Sequence, residues 1–282
     1  MNKILITGAG GFIGNLFFCY LQKNKDIKIY GTINKTNNKN KKNSKPKNLK
    51  KNIFKCDLSS AKEVKKIIKV IQPDVIYHFA AMADHTLSEN NKKLCRKNNS
   101  KITINIINCI NKQSKLIFLS SDKIYSGNPK TSKEHTNHNP SGFLAKEKLK
   151  CEKIIEKKIK RYFILRLPIV HSMGENKNYS TIDNFLFLLK KKEKINVFKN
   201  VKRSFLKIDE LNNFLQKLIY SENYGIYNVG SKVFSYSERL INLCKEYTIP
   251  TKNINRITGN IKPMIQNFDT KKLKRKFDIV FS

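Results

Sequence analysis

The sequence predicts an α/β protein built on a doubly wound parallel sheet, with a smaller lobe after it. Short apolar runs alternate with amphipathic helical patterns up to residue 168, and a glycine-rich turn joins the first run to the first helix. Strands that are buried on both faces have continuous apolar sequences, and their alternation with helices is typical of a parallel sheet. With 282 residues, 39% of them hydrophobic, the chain can form a sizeable core.

The first part of the chain supplies the predicted sheet. Apolar runs predict strands at 3–7, 28–33, 52–56, 74–79, 115–119 and 162–167. Helical periodicity lies between them at 12–23, 61–71, 90–111 and 142–160. Ser60 and Glu63 have the spacing of a capping box, which predicts the start of the second helix.

The pattern changes after Pro168. Helices are predicted at 181–192, 209–220 and 235–247, short strands at 195–198, 204–208 and 225–229, and a looser tail follows. We therefore predict a sheet domain over residues 1–168 and a smaller, partly interleaved lobe over 169–282. Such a lobe lies at the carboxyl edge of the sheet, where substrates bind in folds of this class.

The chain is strongly basic, with 57 Lys and Arg against 21 Asp and Glu and a formal net charge of +36. Such a charge attracts nucleic acid or membrane surfaces, and the Lys- and Asn-rich run at 35–51 is the obvious candidate. Because Lys, Asn and Ile are abundant along the whole chain, we interpret the charge as compositional drift. Specific nucleic-acid binding is not expected, and it would show as a steeply salt-dependent affinity.

Six cysteines form no C-x-x-C pair and have no histidine at metal-ligand spacing. They lie mostly in apolar stretches, as free thiols do, so a reducing cytoplasm and no metal site are expected. Glycines interrupt the apolar N-terminus, which excludes a signal peptide. No stretch reaches the roughly 18–20 apolar residues of a membrane span.

Three glycines form a G-x-x-G-x-x-G pattern between the first strand and the first helix. In that context the pattern predicts the dinucleotide-binding turn of a Rossmann domain. Gly8 permits the tight turn, Gly11 lets a pyrophosphate approach the backbone, and Gly14 lets the helix pack closely on the strand. The helix N-terminus, at Phe12 and Ile13, supplies amide donors to phosphate.

With this turn, several segments resemble the extended short-chain dehydrogenases, a family of sugar-nucleotide epimerases, dehydratases and reductases. The resemblance runs along nearly the whole chain, and the tail at 262–273 is most similar to that of dTDP-4-dehydrorhamnose reductases. It implies a nicotinamide dinucleotide cofactor and a nucleotide-sugar substrate. The helices at 90–111 and 142–160 match the usual dimer surface of the family, so a homodimer is possible.

The resemblance also implies roles for residues beside the cofactor. Asp57 and Leu58 match the acidic–aliphatic pair that reaches the adenine. Ala80 and Ala81 belong to the H-x-A-A signature that begins at His78.

Residues of the expected active site follow from the same resemblance. Ser121 takes the position of the hydroxyl that binds the substrate oxygen, and Lys148 that of the lysine which holds the nicotinamide ribose. Asn99 matches the asparagine that orders the site, and Arg166 matches a contact at a strand end.

One position breaks the family pattern. The family uses a Tyr-x-x-x-Lys pair, in which the Tyr hydroxyl exchanges a proton with the substrate oxygen as hydride moves. Pro140, Lys148 and Glu152 match the segment, but the Tyr position is Leu144. Leucine cannot donate a proton, and the loss of general acid catalysis typically lowers the rate of a reaction by about 10²–10⁴-fold. A one-residue shift offers only Phe143.

Several replacements for the missing hydroxyl remain open. Tyr125 is close in sequence, although the family's aromatic there is usually a packing residue. Asp122 and Lys123 could share the acid–base chemistry, since some membrane-anchored sugar-nucleotide dehydratases carry a similar Ser-Ser-Asp-Lys segment and no Tyr. His135 or His138 could reach the site from its loop. The last possibility is that no group substitutes.

The end of the second strand favours NADP over NAD. An acid there would bond the 2′-hydroxyl of NAD, whereas a cation would accept a 2′-phosphate. Asn34 and Lys35 occupy this place and no acid appears before Asp57. Alternatively, Lys35 is one solvated member of a lysine-rich loop.

Two residues of the second lobe are predicted substrate contacts. His171 follows the strand at 162–167, where the family usually has Tyr-Gly, and Arg203 resembles a position near the nucleotide-sugar pyrophosphate. Each has an ordinary alternative as a packing or surface residue.

The sequence therefore predicts three alternative functions. The first is an NADP-dependent 4-keto-sugar reductase resembling dTDP-4-dehydrorhamnose reductase. The second is a sugar-nucleotide epimerase or dehydratase that uses Asp122 and Lys123. The third is a non-catalytic dinucleotide-binding relative, which the leucine at 144 motivates.

Overall fold

The structure is a computed structural model that describes residues 2–34, 52–125, 131–174, 179–259, 264–267 and 269–282. Lys35 and the rest of the lysine-rich run lie outside these ranges. In the described residues, no helix is long and apolar enough to cross a bilayer.

The strands of the described ranges are, in chain order, β1 (Asn2–Thr7), β2 (Ile27–Ile33), β3 (Ile53–Lys55), β4 (Val75–His78), β5 (Lys115–Ser121), β6 (Tyr162–Leu167), β7 (Ile169–His171), β8 (Ile195–Phe198), β9 (Val201–Lys207), β10 (Gly225–Asn228), β11 (Val233–Ser235), β12 (Ile254–Ile257) and β13 (Met264–Gln266). The α-helices are α1 (Phe12–Leu21), α2 (Ala61–Ile71), α3 (His85–Asn90), α4 (Lys92–Arg96), α5 (Ile102–Cys109), α6 (Gly142–Lys158), α7 (Thr181–Lys190), α8 (Ile208–Leu218), α9 (Tyr236–Glu246) and α10 (Lys271–Phe277).

The central sheet has seven strands in the order β10-β6-β5-β4-β1-β2-β3. The pairs β1–β2, β1–β4, β2–β3 and β4–β5 are parallel. The strand order reverses at β1, which puts the carboxyl ends of β1 and β4 side by side at the switch point where open α/β sheets bind ligands. The predicted doubly wound parallel sheet is confirmed.

The chain divides into two compact units. The first comprises Met1–Ile124, Pro140–Leu165 and Phe214–Ile226, and the second comprises Tyr125–Asn139, Arg166–Asn213 and Tyr227–Ser282. Aliphatic residues from the sheet and from α2, α5 and α6 form the core of the first unit. The second unit has its own core between α7, α9 and β8. The assignment of residues 169–282 to substrate binding stays a prediction.

The helix predicted over 90–111 is present over residues 92–109 with a π-helical turn inside it, and the separate helix α3 before it was not predicted. The chain forms α3 and α4, a π-helical turn at Lys97–Lys101, and then α5. Asn91 ends α3 and caps α4, because its side chain accepts a hydrogen bond from the amide of Leu94 at 2.9 Å. Asn99 donates its side-chain amide to the carbonyl of Cys95 at 3.1 Å, the acceptor that its own backbone N–H would use in an α-helix. The wider π turn accommodates this competition.

The capping box predicted at Ser60 forms only in part. The Ser60 hydroxyl accepts from the amide of Glu63 at 3.4 Å. The Glu63 carboxylate, however, accepts from the amide of Asp57 at 2.9 Å, and so ties the helix start to the loop after β3. The helix itself has the predicted bounds, Ala61–Ile71.

The tail is more ordered than predicted. It contributes β12, which pairs with β8, and β13, which pairs with β9, followed by α10. The strands have only three or four residues each, too few for a periodic pattern to identify them.

Candidate active site

The glycine turn has the geometry that requires glycine at two positions. Gly8 has φ +72°, and a Cβ there would lie 2.8 Å from the backbone nitrogen of Ala80 at the end of β4. A Cβ on Gly14 would lie 2.3 Å from the carbonyl oxygen of Gly8. Both neighbours are backbone atoms, so no side-chain movement relieves the clash. The turn therefore holds β1, β4 and the first turn of α1 in close contact.

The N-terminus of α1 is suited to an anion. Gly11 is its exposed N-cap, no side chain caps the helix, and its first turn contains no acid. Phe12 and Ile13, the first two helical residues, are half-buried. The positive end of the helix dipole therefore meets no carboxylate from its own first turn.

The buried ring of His78, at the end of β4, connects this strand to β1 and to α5. Its Nδ1 lies 3.0 Å from the Thr7 hydroxyl at the end of β1, and its Nε2 lies 3.0 Å from the Thr103 hydroxyl on α5. Thr103 donates its only proton to the carbonyl of Asn99 at 2.9 Å, so it accepts from Nε2–H. Nδ1 then accepts from Thr7, whose oxygen also accepts from the amide of Ala80 at 3.2 Å.

The His78 ring is neutral in this arrangement. Burial, with a smaller contribution from the charge of Lys148, lowers the pKa of the imidazole to about 3. The H-x-A-A signature thus fixes the backbone of Ala80 against the glycine turn, while Ala81 is exposed.

Asp57 and Leu58 anchor the loop after β3. Partial burial would raise the pKa of the Asp57 carboxyl, but hydrogen bonds from the amide and hydroxyl of Ser59 lower it. Leu58 packs its side chain into the core and accepts at its carbonyl from the Asn105 amide at 2.9 Å. Asp57 is therefore an ionised, half-buried carboxylate in a fixed loop.

Ser121 and Asp122 form a polar pair at the carboxyl end of β5. The Ser121 hydroxyl lies 3.3 Å from Oδ1 of Asp122, to which it donates, and accepts from the amide of Lys123 at 3.2 Å. Asp122 is buried, whereas Ser121 and Lys123 are half-buried. Ser121 ends β5, and Asp122 and Lys123 begin the short 3-10 turn that follows the strand.

Lys148 extends from α6 to the same strand end. Its ammonium donates to the carbonyl of Leu119 at 2.8 Å and lies 4.8 Å from the centre of the Phe118 ring. Burial lowers the pKa of this ammonium, against the nearby thiol of Cys151 and the carboxyl of Glu152, which raise it. The lysine expected to hold a ribose is therefore placed at the carboxyl end of β5.

Leu144 lies one turn before Lys148 and is buried, with 5% of its surface exposed. It packs in an apolar cluster with Met82 and Cys95, and the half-buried Phe143 lies against that cluster. Glu147, three residues further along α6, is also buried, and its carboxylate accepts from the Ser100 hydroxyl on the π turn. The Tyr position is thus filled by a packed aliphatic side chain.

One contact that fixes the start of α6 was not predicted from the sequence. The carboxylate of Glu89 on α3 accepts from the amide of Phe143, whereas Ser141, the N-cap in the chain, makes no side-chain cap bond. A cap supplied from 54 residues away has no local sequence signal. It fixes the start of the helix that carries Lys148.

His171, a predicted substrate contact, lies in the second unit and is fully buried. Its Nδ1 lies 3.0 Å from the carbonyl of Ser172, and its Nε2 accepts from the Arg239 guanidinium at 3.0 Å. Burial lowers the pKa of the ring to about 4. Both ring nitrogens therefore have protein partners, which favours the packing alternative.

The chain after His171 is fixed by one carboxylate. Asp183, buried on α7, accepts from the amides of Ser172 and Gly174 at 2.9 and 3.0 Å and from the Ser180 hydroxyl at 2.6 Å. Arg203, the other predicted substrate contact, is buried on β9 and donates to the Gln266 side chain at 2.9 Å.

Tyr125 and His138, two possible proton donors, belong to a network around the buried Arg166. The guanidinium donates to the Tyr125 hydroxyl and, at 2.9 Å, to Nε2 of His138. The Tyr125 hydroxyl donates in turn to the Asn228 side chain at 2.9 Å. His135 is exposed on the same loop. The network gives Tyr125 the packing role of the family aromatic.

The first unit therefore brings most of the predicted residues to neighbouring strand ends. Gly8 and Ala80 touch at β1 and β4, and Ser121 and Lys148 converge on β5. His171 and Arg203 belong to the second unit. In the described residues, no group of three His, Cys, Asp or Glu side chains could hold a metal ion.

Comparison with known proteins identifies the family of the chain. The model of the NAD dependent epimerase/dehydratase family matches residues 4–230. The UDP-glucose 4-epimerase of Mycoplasma genitalium is 34% identical over 130 residues, which are 44% of this chain and only 37% of that protein.

Two solved structures share the fold. The dTDP-4-dehydrorhamnose reductase of Bacillus anthracis, solved in complex with NADP, has a TM-score of 0.82 at 20% identity, covering 99% of this chain and 93% of that one. The UDP-glucose 4-epimerase of Thermotoga maritima, solved with UDP-glucose, has a TM-score of 0.84 at 18% identity, covering 99% and 94%. Because the family model matches well over half of the residues, the chain belongs to the NAD dependent epimerase/dehydratase family, a family of enzymes.

Proposed function

We propose that the first unit binds a nicotinamide dinucleotide across the carboxyl ends of β1, β4 and β5. Gly8 and Gly14 hold the turn close to β4 and to the start of α1, and the exposed N-cap Gly11, where a Cβ would meet the carbonyl oxygen of Gly8 at 3.3 Å, would let a pyrophosphate approach the backbone there. The ionised Asp57 suits the adenine end, and Lys148 suits the hydroxyls of the nicotinamide ribose. The dTDP-4-dehydrorhamnose reductase of Bacillus anthracis, which shares the fold, was solved in complex with NADP, and this supports a dinucleotide as the ligand.

NADP is the proposed form of the cofactor. Asn34, which follows β2, is exposed and uncharged, so the strand end presents no carboxylate to repel a 2′-phosphate. Lys35 would supply the cation, but it lies outside the described residues. Parallel titrations with NADPH and NADH test this choice through their dissociation constants.

The proposed reaction is reduction of a 4-keto group on a nucleotide-activated sugar. The observation that carries it is that Lys148 bonds to β5 at Leu119 and Ser121 ends the same strand, which pairs with β4, the strand before the Ala80 that contacts the glycine turn. The bound cofactor would supply hydride to the carbonyl carbon, and the carbonyl oxygen would take a proton. Ser121 would turn its hydroxyl from Asp122 to that oxygen and donate its proton, and a proton from solvent passed through Asp122, its hydrogen-bond partner, would restore the hydroxyl. Lys123 would contribute its charge, and Arg203 and His171 stay predicted substrate contacts.

The test is oxidation of NADPH or NADH by the purified protein, given a dTDP-4-keto-6-deoxyhexose. Lys148→Ala is expected to lower the rate by about 10²-fold, because the nicotinamide ribose loses its anchor and the reacting atoms lose alignment. Lys150→Ala, an exposed neighbour on α6, is the matched control and should retain the rate.

Absence of oxidation with tight NADPH binding would reject the reductase. An epimerase, a dehydratase or a dinucleotide-binding protein would then remain, and product analysis with UDP- and dTDP-sugars separates them.

The packing of Leu144 favours a second candidate, a dinucleotide-binding relative without turnover. Leu144→Tyr is expected to destabilise the protein by about 1–3 kcal/mol and to leave NADPH oxidation unchanged, because the added ring and hydroxyl must enter the apolar cluster with Met82 and Cys95. Leu144→Phe adds a similar volume without the hydroxyl and is the control. A rate that rises in the Tyr variant but not in the Phe variant would show that the native site lacks its acid.

A further inference from the structure

Two helical stretches of the first unit face each other just before the turn of α6 that carries Lys148. On α6, Phe143 and Glu147 are four residues apart and so lie on one side of the helix. The facing side chains of α4 and the π turn also repeat every four residues, and they are Lys92, Arg96 and Ser100. We call the contacts between these two rows of side chains the α6 ladder.

Phe143 makes the first contacts of the α6 ladder. The ammonium of Lys92 and the guanidinium of Arg96 lie 5.8 and 5.1 Å from the centre of its ring, within the range of a cation–π interaction. The carboxylate of Glu89 accepts from the backbone amide of the same residue. Because these three groups belong to α3 and α4, those two helices fix where α6 begins.

Glu147 makes the next contacts of the α6 ladder. Its side chain is only 6% exposed, and its carboxylate accepts from the Ser100 hydroxyl and lies 3.9 Å from Nε of Arg96. A buried carboxylate is costly unless such partners compensate it. Ser100 follows Asn99 on the π turn, and Glu147 precedes Lys148 on α6. The bond between Ser100 and Glu147 therefore joins the chain neighbours of two predicted site residues.

We propose that Glu147 is a positioning residue, which fixes the place of Lys148 by bonding its turn of α6 to the π turn. The inference rests on the proposed function, in which the Lys148 ammonium holds the nicotinamide ribose. Among the residues that the structure describes, this ammonium has one hydrogen bond, to the carbonyl of Leu119 at 2.8 Å. Its place therefore depends on where α6 lies.

The apolar packing around Leu144 does not supply the same restraint. Leu144 contacts Met82 and Cys95, and contacts between aliphatic groups have no preferred direction, so they permit small rotations of the helix. A hydrogen bond from a hydroxyl to a carboxylate has a defined distance and angle. The bond at Glu147 is thus the contact of the α6 ladder that sets the rotation of α6 one residue before Lys148.

The test is a double-variant cycle of Glu147→Ala and Lys148→Ala, read in NADPH dissociation constants and in kcat. Glu147→Ala alone is expected to weaken NADPH binding by about fivefold and to lower kcat by roughly tenfold, because small displacements of the reacting groups are costly. In the Lys148→Ala background the same substitution should change either value by less than about twofold, because the group that it positions is absent.

Three control variants separate positioning from stability. Glu147→Gln keeps an acceptor for the Ser100 hydroxyl and should stay within about threefold of the unchanged protein in both values. Glu156→Ala removes an exposed carboxylate from the same helix and should alter neither value. Ile155→Val removes one buried methylene group from α6, so it should lower the stability to urea without lowering kcat.

Two results would overturn the positioning role. One is an equal loss on Glu147→Ala with and without Lys148, and the other is unchanged affinity and rate in Glu147→Ala itself. An unchanged protein that binds NADPH without oxidising it rejects the proposed reaction only, since the cycle is then read in dissociation constants. An unchanged protein that does not bind NADPH rejects the proposed function and, with it, the ribose contact on which this role depends.

Discussion

Gly14→Val is expected to abolish NADPH binding and to lower the free energy of unfolding by about 3 kcal/mol or more. The first atom of the new side chain would lie 2.3 Å from the carbonyl oxygen of Gly8, closer than any real contact. Only a shift of α1 away from β1 relieves the clash. That shift also displaces the amides at Phe12 and Ile13, on which the proposed pyrophosphate contact depends. NADPH fluorescence titration and urea unfolding measure the two effects.

Gly10→Ala is the matched control within the same turn. Its Cβ would meet a methyl group of the Ile33 side chain at 3.3 Å, and a side chain can move by the few tenths of an ångström required. NADPH affinity and stability should therefore stay close to those of the unchanged protein. Retained binding in Gly14→Val, with unaltered stability, would show that α1 does not pack as the structure has it.

Lowering the pH below 6.5 is expected to destabilise both units, at pH values above those at which carboxylates become protonated. Burial lowers the pKa of His78 to about 3 and that of His171 to about 4, from an ordinary value of 6.5. Below pH 6.5 the unfolded chain therefore binds protons that the folded chain does not. Stability is fully present above pH 6.5 and falls by up to about 1.4 kcal/mol per pH unit for each ring until its folded pKa is reached.

Unfolding in urea between pH 7.5 and 4 measures this slope. His78→Asn should be less stable at neutral pH, because it loses the bonds to Thr7 and Thr103, but its stability should fall less steeply with acid. His135→Asn changes an exposed ring and serves as the control. Equal slopes in the two variants would mean that His78 is not held neutral in the folded protein.

The sheet was predictable because β1, β4, β5 and β6 are continuous apolar runs that are almost wholly buried. Predicted and observed bounds agree for α2 and β6, and within two residues for the other strands of the first unit. The π turn was not predictable, because it accompanies the side chain of Asn99, which competes with the backbone for the carbonyl of Cys95. Short strands such as β13 exist only through their partners in the sheet and leave no period in the sequence.

The candidate site, like the fold, has residues that the sequence predicts and contacts that it does not. Gly8, Gly14 and Lys148 were found through a local spacing that the family shares. The partners that hold the site came from far along the chain: Thr7 and Thr103 around His78, and Glu89 at the start of α6. A single sequence shows that a polar residue is present but not which distant group it meets, so these contacts required the structure.

The π turn at Lys97–Lys101 determines in which direction the side chains of α5 point. It holds one residue more than an α turn, so every later residue of the helix is rotated by about 100°. Thr103 and Asn105 reach His78 and Leu58 from that rotated position. A single deletion within the turn would remove the extra residue together with the extra rotation, so both side chains would keep their directions. A substitution that makes the turn α-helical without removing a residue would instead turn both side chains away by about 100°. Relatives that keep the contacts of His78 therefore either keep the π turn or have one residue fewer in this stretch.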